Sequence, residues 1–568
     1  MSIVDDLIKR KRMLFFLPFW WDHVYSDFDP WKDTWTSDDK HSRFLWELGP
    51  NPPFDGILFS RIEVEESKNK WKEIKEKGGI RNYLRLPSKV LLFGDCGAFG
   101  YIKLDKPPFD PLETLDFYES MQYDLGCTVD HLIVKETEEQ KYKRYEITLK
   151  NAEKMMNKWS SGNYSFQLVG VAQGWDPESY YNAVKELIDM NFNYIAIGGL
   201  VRTNTPGIIR VLKKCHELWK GKNIKIHIFG VGRWSILPYY LKYGVTSFDN
   251  AYHRRAWLSS KDNYELDGKW YTALRVPLSN SKPFRRIKEE QEVFDVIKEY
   301  VEGKVQPEVV IEKLKKYEER LVELGIEKEN RFEKIKNLEK EYLRTLKERP
   351  WEKCDCPICK EIGVHVCIFR TNERNMRRGF HNLFQFYKRL QKFLKGDLKI
   401  DEGPTYAEEI PLEELKGKKV LVITSCTAKK LSNSPDVKAK AKDLYQGRLF
   451  KSVRKLCEKM GWDYVIISAK YGLVFPEDEI EGYNDVLKTK EDVKRLKPLV
   501  IPKLKEIIEK YKYDVILVIA GKKYRDVIDD ILSNKFIILQ AKGYGDFCKK
   551  VDSVSQLHQS TLNHFFHL

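Results

Sequence analysis

Two aspartates stand where predicted strands end, and together they could carry out glycosidic chemistry. Asp95 closes the run Val90–Asp95, and Asp249 lies near the end of Thr246–Asn250. In such chemistry one carboxylate attacks or stabilises the sugar carbon while a second moves protons. Each aspartate alone is more simply explained as a helix cap. Two carboxylates at strand ends of one sheet nevertheless favour a catalytic site.

Other strand ends carry residues that suit a flat ligand. Phe99 follows Asp95, Gln173 ends a third strand, and Gly199 belongs to a Gly-Gly-Leu turn after a fourth. Glycines allow a ligand to approach the backbone closely. Phe99 offers a stacking face, and the Gln173 amide can pair with an amide-like edge. These residues predict a pocket for a planar, hydrogen-bonding ligand.

A cysteine cluster indicates a metal site. Cys354, Cys356 and Cys359 form Cys-x-Cys-x-x-Cys, and His381, His365 or Cys367 could supply a fourth ligand. Three thiolates and an imidazole make a closed tetrahedral zinc site, which is structural because no position stays open for water. Clustered cysteines also favour a reducing, cytoplasmic compartment over a disulfide framework.

Strand-like and helical segments alternate over the first part of the chain. This alternation predicts parallel strands with helical crossovers, and its length favours a (β/α)8 barrel over an open doubly wound sheet. The predicted strands are Ile57–Val64, Val90–Asp95, His131–Val134, Phe166–Gln173, Tyr194–Gly198, Ile224–Gly230 and Thr246–Asn250.

Composition changes along the chain predict further divisions. The barrel is expected over 1–395, with a charged helical insertion at 285–349 and a zinc-binding segment at 350–395. A smaller α/β domain follows a Pro- and Gly-containing linker, because β-rich runs again alternate with helical ones from Val420 onward. The remaining predicted segments are the linker 396–417, the α/β domain 418–556 and a tail 557–568.

The charge balance suggests a polyanionic partner. The 568 residues include 99 Lys and Arg against 84 Asp and Glu, a formal charge of +15. A basic surface binds nucleic acid by releasing counterions, although a Lys/Glu-rich surface alone could give the same excess. The apolar start, Met-Leu-Phe-Phe-Leu-Pro-Phe-Trp-Trp, is interrupted by Pro18 and followed by Asp22. It is too short for a membrane span, so no membrane association is expected.

The strand-end motifs resemble those of one enzyme family. Asp-Cys-Gly-Ala-Phe is similar to the Asp-Ser-Gly-Gly-aromatic motif of tRNA-guanine transglycosylases, and Val-Ala-Gln-Gly and Ile-Gly-Gly-Leu resemble that family's Val-Gln-Gly and Gly-Gly-Leu. Gly-Val-Thr-Ser-Phe-Asp resembles its Gly-Val-Asp-Met-Phe-Asp nucleophile strand. The resemblance extends over roughly residues 55–395.

That resemblance implies a role for each candidate residue. Asp249 would attack the sugar C1′ and expel guanine, and Asp95 would handle protons. Phe99 would stack on the base, and Gln173, Gly199 and Leu200 would hold its edge. The family's second base-reading aspartate has its nearest counterpart in Asp130. The family's zinc motif makes His381 the fourth metal ligand beside Cys354, Cys356 and Cys359.

Departures from the tRNA enzymes point to DNA. Ala-Tyr-His-Arg-Arg replaces their Leu-Pro-Thr-Arg-type segment, which leaves Arg254 and Arg255 as expected nucleic-acid contacts. The start, Phe-Phe-Leu-Pro-Phe-Trp-Trp-Asp-His-Val, resembles the DpdA group, whose members insert 7-cyano-7-deazaguanine into DNA with a partner ATPase. The expected reaction is therefore exchange of guanine in DNA for a 7-deazaguanine base. The alternatives are the same exchange on tRNA, and a non-catalytic subunit that only binds nucleic acid.

The second domain has polar clusters next to its strands. Thr-Ser-Cys-Thr-Ala-Lys-Lys contains Lys429 and Lys430, and Ser-Ala-Lys-Tyr-Gly-Leu contains Lys470. The first cluster distantly resembles the lysine-handling domain of archaeosine synthases. Because ligand sites of α/β domains form at strand ends, the lysines could bind a phosphate or a nucleobase derivative. A non-catalytic nucleic-acid-binding appendage is an equal alternative.

Overall fold

The chain forms two compact units in the computed structural model, residues 1–400 and residues 401–568. The structure describes residues 11–38, 40–66, 68–134, 137–258, 260–280, 282, 285–328, 338–400 and 403–563. Residues 329–337 of the predicted helical insertion and 564–568 of the predicted tail lie outside the described residues.

The first unit contains a closed barrel of eight parallel strands. The strands are β1 Leu14–Pro18, β2 Gly56–Ser60, β3 Leu91–Asp95, β4 Leu125–Cys127, β5 Gln167–Ala172, β6 Tyr194–Ile197, β7 Lys225–Ile228 and β8 Ser247–Asp249. They lie in the order β1-β8-β7-β6-β5-β4-β3-β2, and β1 pairs with both β2 and β8, so no edge is left open. The predicted (β/α)8 barrel is confirmed, and the alternative of an open sheet is wrong.

Helices surround the barrel, and several begin at signals visible in the sequence. The side chains of Asp110, Thr137, Asp176 and Asn204 accept hydrogen bonds from the first turns of the helices that follow them. Such caps satisfy backbone N–H groups that have no partner inside the helix. The helices between barrel strands are Arg61–Glu65, Lys68–Glu76, Ile80–Tyr83, Pro111–Ser120, Glu138–Ser161, Pro177–Asp189, Thr205–Trp219 and Leu237–Lys242.

Two barrel strands differ from the sequence prediction. The apolar run at the start of the chain is β1, with all five residues buried. A strand buried on both faces shows no polar alternation, so this run was not recognised as a strand. The prediction at His131–Val134 is wrong, because β4 lies earlier, at Leu125–Cys127. The backbone N–H of His131 donates to the Thr148 hydroxyl, and Arg144 donates to the Leu132 carbonyl, so helix side chains replace strand partners there.

After β8 the chain forms the predicted charged helices and then the cysteine segment. The long helix Asn372–Lys395 covers β1 and β8, with the Phe386 ring 5.1 Å from that of Phe15 and 6.4 Å from that of Phe248. This helix also carries His381, so the metal segment and the barrel wall share one element. The other helices are Arg255–Leu258, Lys288–Val301, Pro307–Glu323, Glu339–Glu348, Pro350–Lys353 and Pro357–Ile362. Short strands pair as His23–Tyr25 with Ser42–Phe44, Tyr264–Leu266 with Lys269–Tyr271, and Leu274–Arg275 with Ile368–Phe369.

The second unit contains a six-stranded mixed sheet with apolar clusters on both faces. Its strands are β9 Thr405–Ala407, β10 Val420–Ser425, β11 Asp463–Ser468, β12 Gly472–Val474, β13 Val515–Ile519 and β14 Phe536–Leu539. They lie in the order β9-β14-β13-β10-β11-β12. The segment predicted as a linker contains β9, which pairs with β14 and completes one edge. The helices are Leu412–Leu415, Ala441–Leu444, Arg448–Met460, Lys490–Tyr511, Lys522–Arg525 and Tyr544–Asn563.

None of the helices in the described residues is long and apolar enough to cross a membrane.

Candidate active site and metal centre

A cavity of about 320 Å³ opens at the carboxyl ends of the barrel strands. Below it the barrel interior is filled by apolar side chains such as Phe16, Phe93 and Val171. Ligands of (β/α)8 barrels bind at this end, since the loops after the strands converge there. All eight strands or the loops after them contribute lining residues, which include Pro18, Ser60, Asp95, Phe99, Cys127, Asp130, Gln173, Gly198, Gly199, Phe229, Gly230 and Asp249.

Asp249 lies at the end of β8, buried and held in one orientation. Its Oδ1 atom accepts a 2.8 Å hydrogen bond from the Gly230 backbone N–H and lies 3.2 Å from Nε2 of His227. Nδ1 of His227 lies 2.8 Å from the Ser247 hydroxyl, which lies 2.7 Å from the Tyr194 hydroxyl. All these contacts are satisfied when Tyr194 donates to Ser247, Ser247 donates to Nδ1, and Nε2–H donates to Asp249. The carboxylate is thus anchored through one oxygen, as a positioned nucleophile requires.

Asp95 lines the same cavity at the end of β3. Burial, reinforced by the nearby charge of Asp249 and opposed by a hydrogen bond from Ser60, raises the pKa of Asp95 to about 6. Its Oδ1 atom is shielded from solvent and has no hydrogen-bond partner in the described part of the chain. A carboxyl group with a pKa close to neutrality can both give and take a proton.

Asp130 and Gln173 form a buried pair beside Asp95. Nε2 of Gln173 donates a 2.7 Å hydrogen bond to Oδ2 of Asp130. Burial raises the pKa of Asp130 to about 7, although the bond from Gln173 opposes the shift. Oε1 of Gln173 is buried and has no partner within the described residues. The pair therefore presents an unsatisfied acceptor, Oε1 of Gln173, to a ligand that carries N–H donors.

The remaining predicted base contacts divide into those that face the cavity and one that does not. Phe99 is 56 % exposed at the cavity wall, so its ring is available to a ligand. Gly199 has φ +76°, and a Cβ atom there would lie 2.8 Å from the Tyr180 hydroxyl and 3.0 Å from Oε1 of Gln173. The side chain of Leu200 is buried in the apolar core, so only its backbone is available to a ligand. Val201 lines the cavity instead.

The two arginines after β8 already have partners. Arg254 donates a 2.9 Å hydrogen bond to Oδ1 of the buried Asp22, and its guanidinium lies 4.7 Å from the centre of the Trp20 ring. Arg255 donates to the backbone carbonyl of Asp262 and covers the Trp270 ring. Pairing with Asp22 offsets the Arg254 charge, whereas Arg255 is exposed and keeps its charge at the surface.

Four side chains converge into a buried cluster that could hold a metal ion. Nδ1 of His381 lies 3.6 Å from the Cys354 sulfur, 3.4 Å from that of Cys356 and 3.3 Å from that of Cys359. A tetrahedral zinc with ordinary bond lengths places nitrogen and sulfur ligands about 3.5 Å apart. Nε2 of His381 lies 2.6 Å from the Glu265 carbonyl, which leaves Nδ1 available as a ligand atom.

The two alternative ligands do not join this cluster. His365 lies 4.2 Å from the Trp31 ring, centre to centre, and Cys367 is buried separately. Among the residues that the structure describes, the group able to hold one ion is Cys354, Cys356, Cys359 and His381.

His227 and Trp20 are among the site residues that were missed in the sequence. His227 belongs to the run Lys-Ile-His-Ile, where its inward direction follows from strand alternation, but its contact with Asp249 depends on how β7 and β8 pair. Trp20 lines the cavity mouth from the loop after β1, and it was not considered because β1 was not recognised as a strand.

Comparison with known proteins gives matches for both units. The family described as queuine tRNA-ribosyltransferase matches residues 62–410, and a family of unknown function (DUF6884) matches residues 420–544. A DNA-guanine transglycosylase of Salmonella montevideo is 32% identical over 416 residues, which span 67% of this chain and 97% of that protein. A tRNA-guanine(15) transglycosylase of Nanoarchaeum equitans is 28% identical over 205 residues, which span 34% of this chain and 44% of that protein.

Proposed function

The chain belongs to the queuine tRNA-ribosyltransferase family and is a transglycosylase, and we propose that it replaces guanine in DNA with a 7-deazaguanine base through a covalent intermediate on Asp249. The observation that carries the proposal is one cavity that combines the anchored Asp249 with two unsatisfied buried acceptors, on Asp95 and Gln173. Guanine suits these acceptors because its edge presents N–H donors.

The exchange consists of two displacements at C1′ of the sugar. In the first, an oxygen of Asp249 forms a bond to C1′ as the bond from C1′ to N9 of guanine breaks, and the electron pair leaves with the base. In the second, N9 of the incoming base bonds to C1′, loses its proton and displaces the carboxylate. Dividing one difficult exchange into two such steps is the function of a covalent nucleophile. No oxidant or reductant is consumed.

Asp95 transfers the proton in both displacement steps. With a pKa of about 6 it is present in both protonation states near neutral pH. The protonated form donates to the departing guanine, and the resulting carboxylate accepts the proton of the incoming base. Phe99 stacks on the bound base, and Asp130 and Gln173 accept from its N–H groups.

DNA is the favoured substrate because the relative named as a DNA enzyme matches over 97% of its length, whereas the archaeal tRNA enzyme matches over 44%. The alternative substrate is tRNA, because the description of the matching family names tRNA. A duplex would have to expose its base to this cavity. A partner ATPase that opens the duplex would serve that purpose, and 7-cyano-7-deazaguanine is the incoming base implied by the resemblance to the DpdA group.

The metal is proposed to be zinc. Three sulfurs and one nitrogen at the observed separations fit its tetrahedral preference. Cys354, Cys356, Cys359 and His381 would hold it, and its contribution would be to link the cysteine segment to helix Asn372–Lys395. The cavity lining does not include these four residues, so the chemistry is assigned to the barrel carboxylates.

A trapping experiment tests the nucleophile. The wild-type chain, incubated with guanine-containing DNA without an incoming base, should form an adduct that survives denaturant. Asp249→Asn keeps the size of the side chain but removes the anionic nucleophile, so it should form no adduct and exchange base at least about 10³-fold more slowly. Asp95→Asn should exchange slowly yet still form some adduct. Base exchange by Asp249→Asn at the wild-type rate would refute the assignment.

A second experiment separates the substrates. Nucleosides from DNA and from tRNA of cells with and without the gene are compared by mass spectrometry. A 7-deazaguanine nucleoside that appears in DNA only when the gene is present supports the proposal. Its appearance in tRNA alone would establish the alternative, and its absence from both would favour a non-catalytic nucleic-acid-binding protein.

A further inference from the structure

The second unit has a cavity of about 620 Å³ that the transglycosylase reaction does not use. It opens at the carboxyl ends of β10, β13 and β14, and its lining includes Ser425, Ala520 and Leu539, at or just after those ends. The chain leaves β10 for β11 on one side and later returns to β13 on the other. The cavity therefore lies where the strand order reverses, the place where open α/β sheets bind their ligands.

The lining of this cavity is basic. Lys429, Lys522 and Arg525 belong to the lining, which contains no Asp or Glu. Lys522 is paired with Asp526, which directly follows the helix Lys522–Arg525. By contrast, neither the guanidinium of Arg525 nor the ammonium of Lys429 makes a hydrogen bond or ion pair within the described residues. Two cations without partners beside one cavity favour an anionic ligand.

The N-terminus of a helix adds to the positive potential of the cavity. The helix Arg448–Met460 has thirteen residues and begins at the cavity wall with Gly447 as its N-cap, and the Tyr544 hydroxyl accepts a 3.1 Å hydrogen bond from the Leu449 N–H in its first turn. The positive end of a helix favours a negatively charged group. The helix start supports the site that the cavity and its cations define.

The lining also contains aromatic residues. Tyr524, Tyr544 and Phe547 line the cavity, and Tyr544 is 59 % exposed. Rings in this arrangement offer stacking faces for a planar group. The volume exceeds what a phosphate alone requires and falls in the range of small-molecule sites.

We propose that this cavity binds a nucleotide, with its phosphate against Arg525 and Lys429 and its base among the tyrosines. The same chemistry is present in a free nucleoside monophosphate and in a nucleotide of a single strand, and the experiment separates these two sources. Of the three lysines singled out in the sequence, Lys429 lines this site. Lys430 lies over the Tyr483 ring and Lys470 lies near Glu481, and neither is part of the lining.

The test uses the full chain and calorimetric titration with adenosine and guanosine 5′-monophosphates, the matching nucleosides, and a short single-stranded oligonucleotide. The double variant Lys429→Gln/Arg525→Gln removes the two free charges. The control Lys494→Gln/Lys505→Gln removes two exposed charges outside the cavity. Guanine, titrated as the free base, reports the barrel site separately.

Saturable binding of a monophosphate, at least about tenfold tighter than that of its nucleoside, is the expected result. The double variant should weaken it by about 10- to 100-fold, and the control should not. Binding of the oligonucleotide alone, with the same loss in the double variant, would assign the nucleotide to a strand. The proposal is overturned if neither probe binds at about 1 mM, or if the double variant binds as tightly as the control.

Discussion

Replacement of Asp130 by asparagine should stabilise the barrel unit at neutral and alkaline pH. The carboxyl group is 7 % exposed and lies between Gln173 and Asp95, so its ionised form is poorly solvated. Asparagine has the same shape without the charge, and its carbonyl oxygen can still accept the hydrogen bond from Gln173. The substitution thus removes an unfavourable buried charge and leaves the local packing intact.

The shift in pKa sets the largest possible gain. The pKa of Asp130 rises from 3.8 to about 7, and each pKa unit corresponds to about 1.4 kcal/mol. The ceiling is therefore about 4 kcal/mol in the free energy of unfolding. For a unit of this length the entropy of unfolding is roughly 0.8 kcal/mol per kelvin, so the midpoint of thermal unfolding should rise by at most about 5 °C.

The gain depends on pH in a defined direction. Because the pKa of Asp130 is raised in the folded state, folding takes up a proton between pH 3.8 and about 7. The stability contributed by this group falls as pH rises through that window and is lost fully above pH 7. The difference between Asp130→Asn and the wild type should accordingly be near zero at pH 4 and complete at pH 8.

Scanning calorimetry at several pH values and one fixed scan rate measures the effect. Asp105→Asn, an exposed aspartate outside the cavity, is the matched control and should leave the midpoint unchanged at every pH. An equal gain for Asp130→Asn at pH 5 and pH 8, or no gain at pH 8, would refute the reasoning. The same variant should bind guanine more weakly, since the base loses a charged acceptor.

Three further outcomes are expected. His227→Phe should lower kcat by about 10- to 100-fold with little change in KM, because Asp249 loses one hydrogen bond that orients it; an unchanged kcat would remove this role. Gly199→Ala should abolish guanine binding measured by calorimetry, since its Cβ would collide with the Tyr180 hydroxyl at a positive φ; wild-type affinity would contradict this. Elemental analysis should find about one zinc per chain, and Cys356→Ser/His381→Ala should lose both the metal and thermal stability; full zinc occupancy in that variant would refute the ligand set.

Local patterns account for much of what was predicted. Six of the seven strands predicted in the first unit overlap barrel strands, because alternating β-rich and helical runs are short-range signals. The bounds were less accurate, as Ile57–Val64 shows: the strand ends at Ser60 and a helix begins at Arg61. The segment His131–Val134, wrongly predicted as a strand, is richer in β-forming residues than the actual strand Leu125–Cys127. Hydrogen bonds with side chains of the helix Glu138–Ser161 nevertheless hold this segment as a loop.

The sequence by itself determined which residues end strands and which cysteines cluster, since a turn, a cap and a Cys-x-Cys-x-x-Cys run are encoded within a few residues. Only the tertiary structure determined which side chains face one another. Pairing of β7 with β8 brings His227 to Asp249, and pairing of β4 with β5 brings Gln173 to Asp130, across separations of 22 and 43 residues. Burial then raises the pKa values of Asp95 and Asp130, and it directs Leu200 into the core while Phe99 stays exposed. Desolvation depends on all the atoms around a group, and these come from strands distant in sequence, so no local pattern could reveal it.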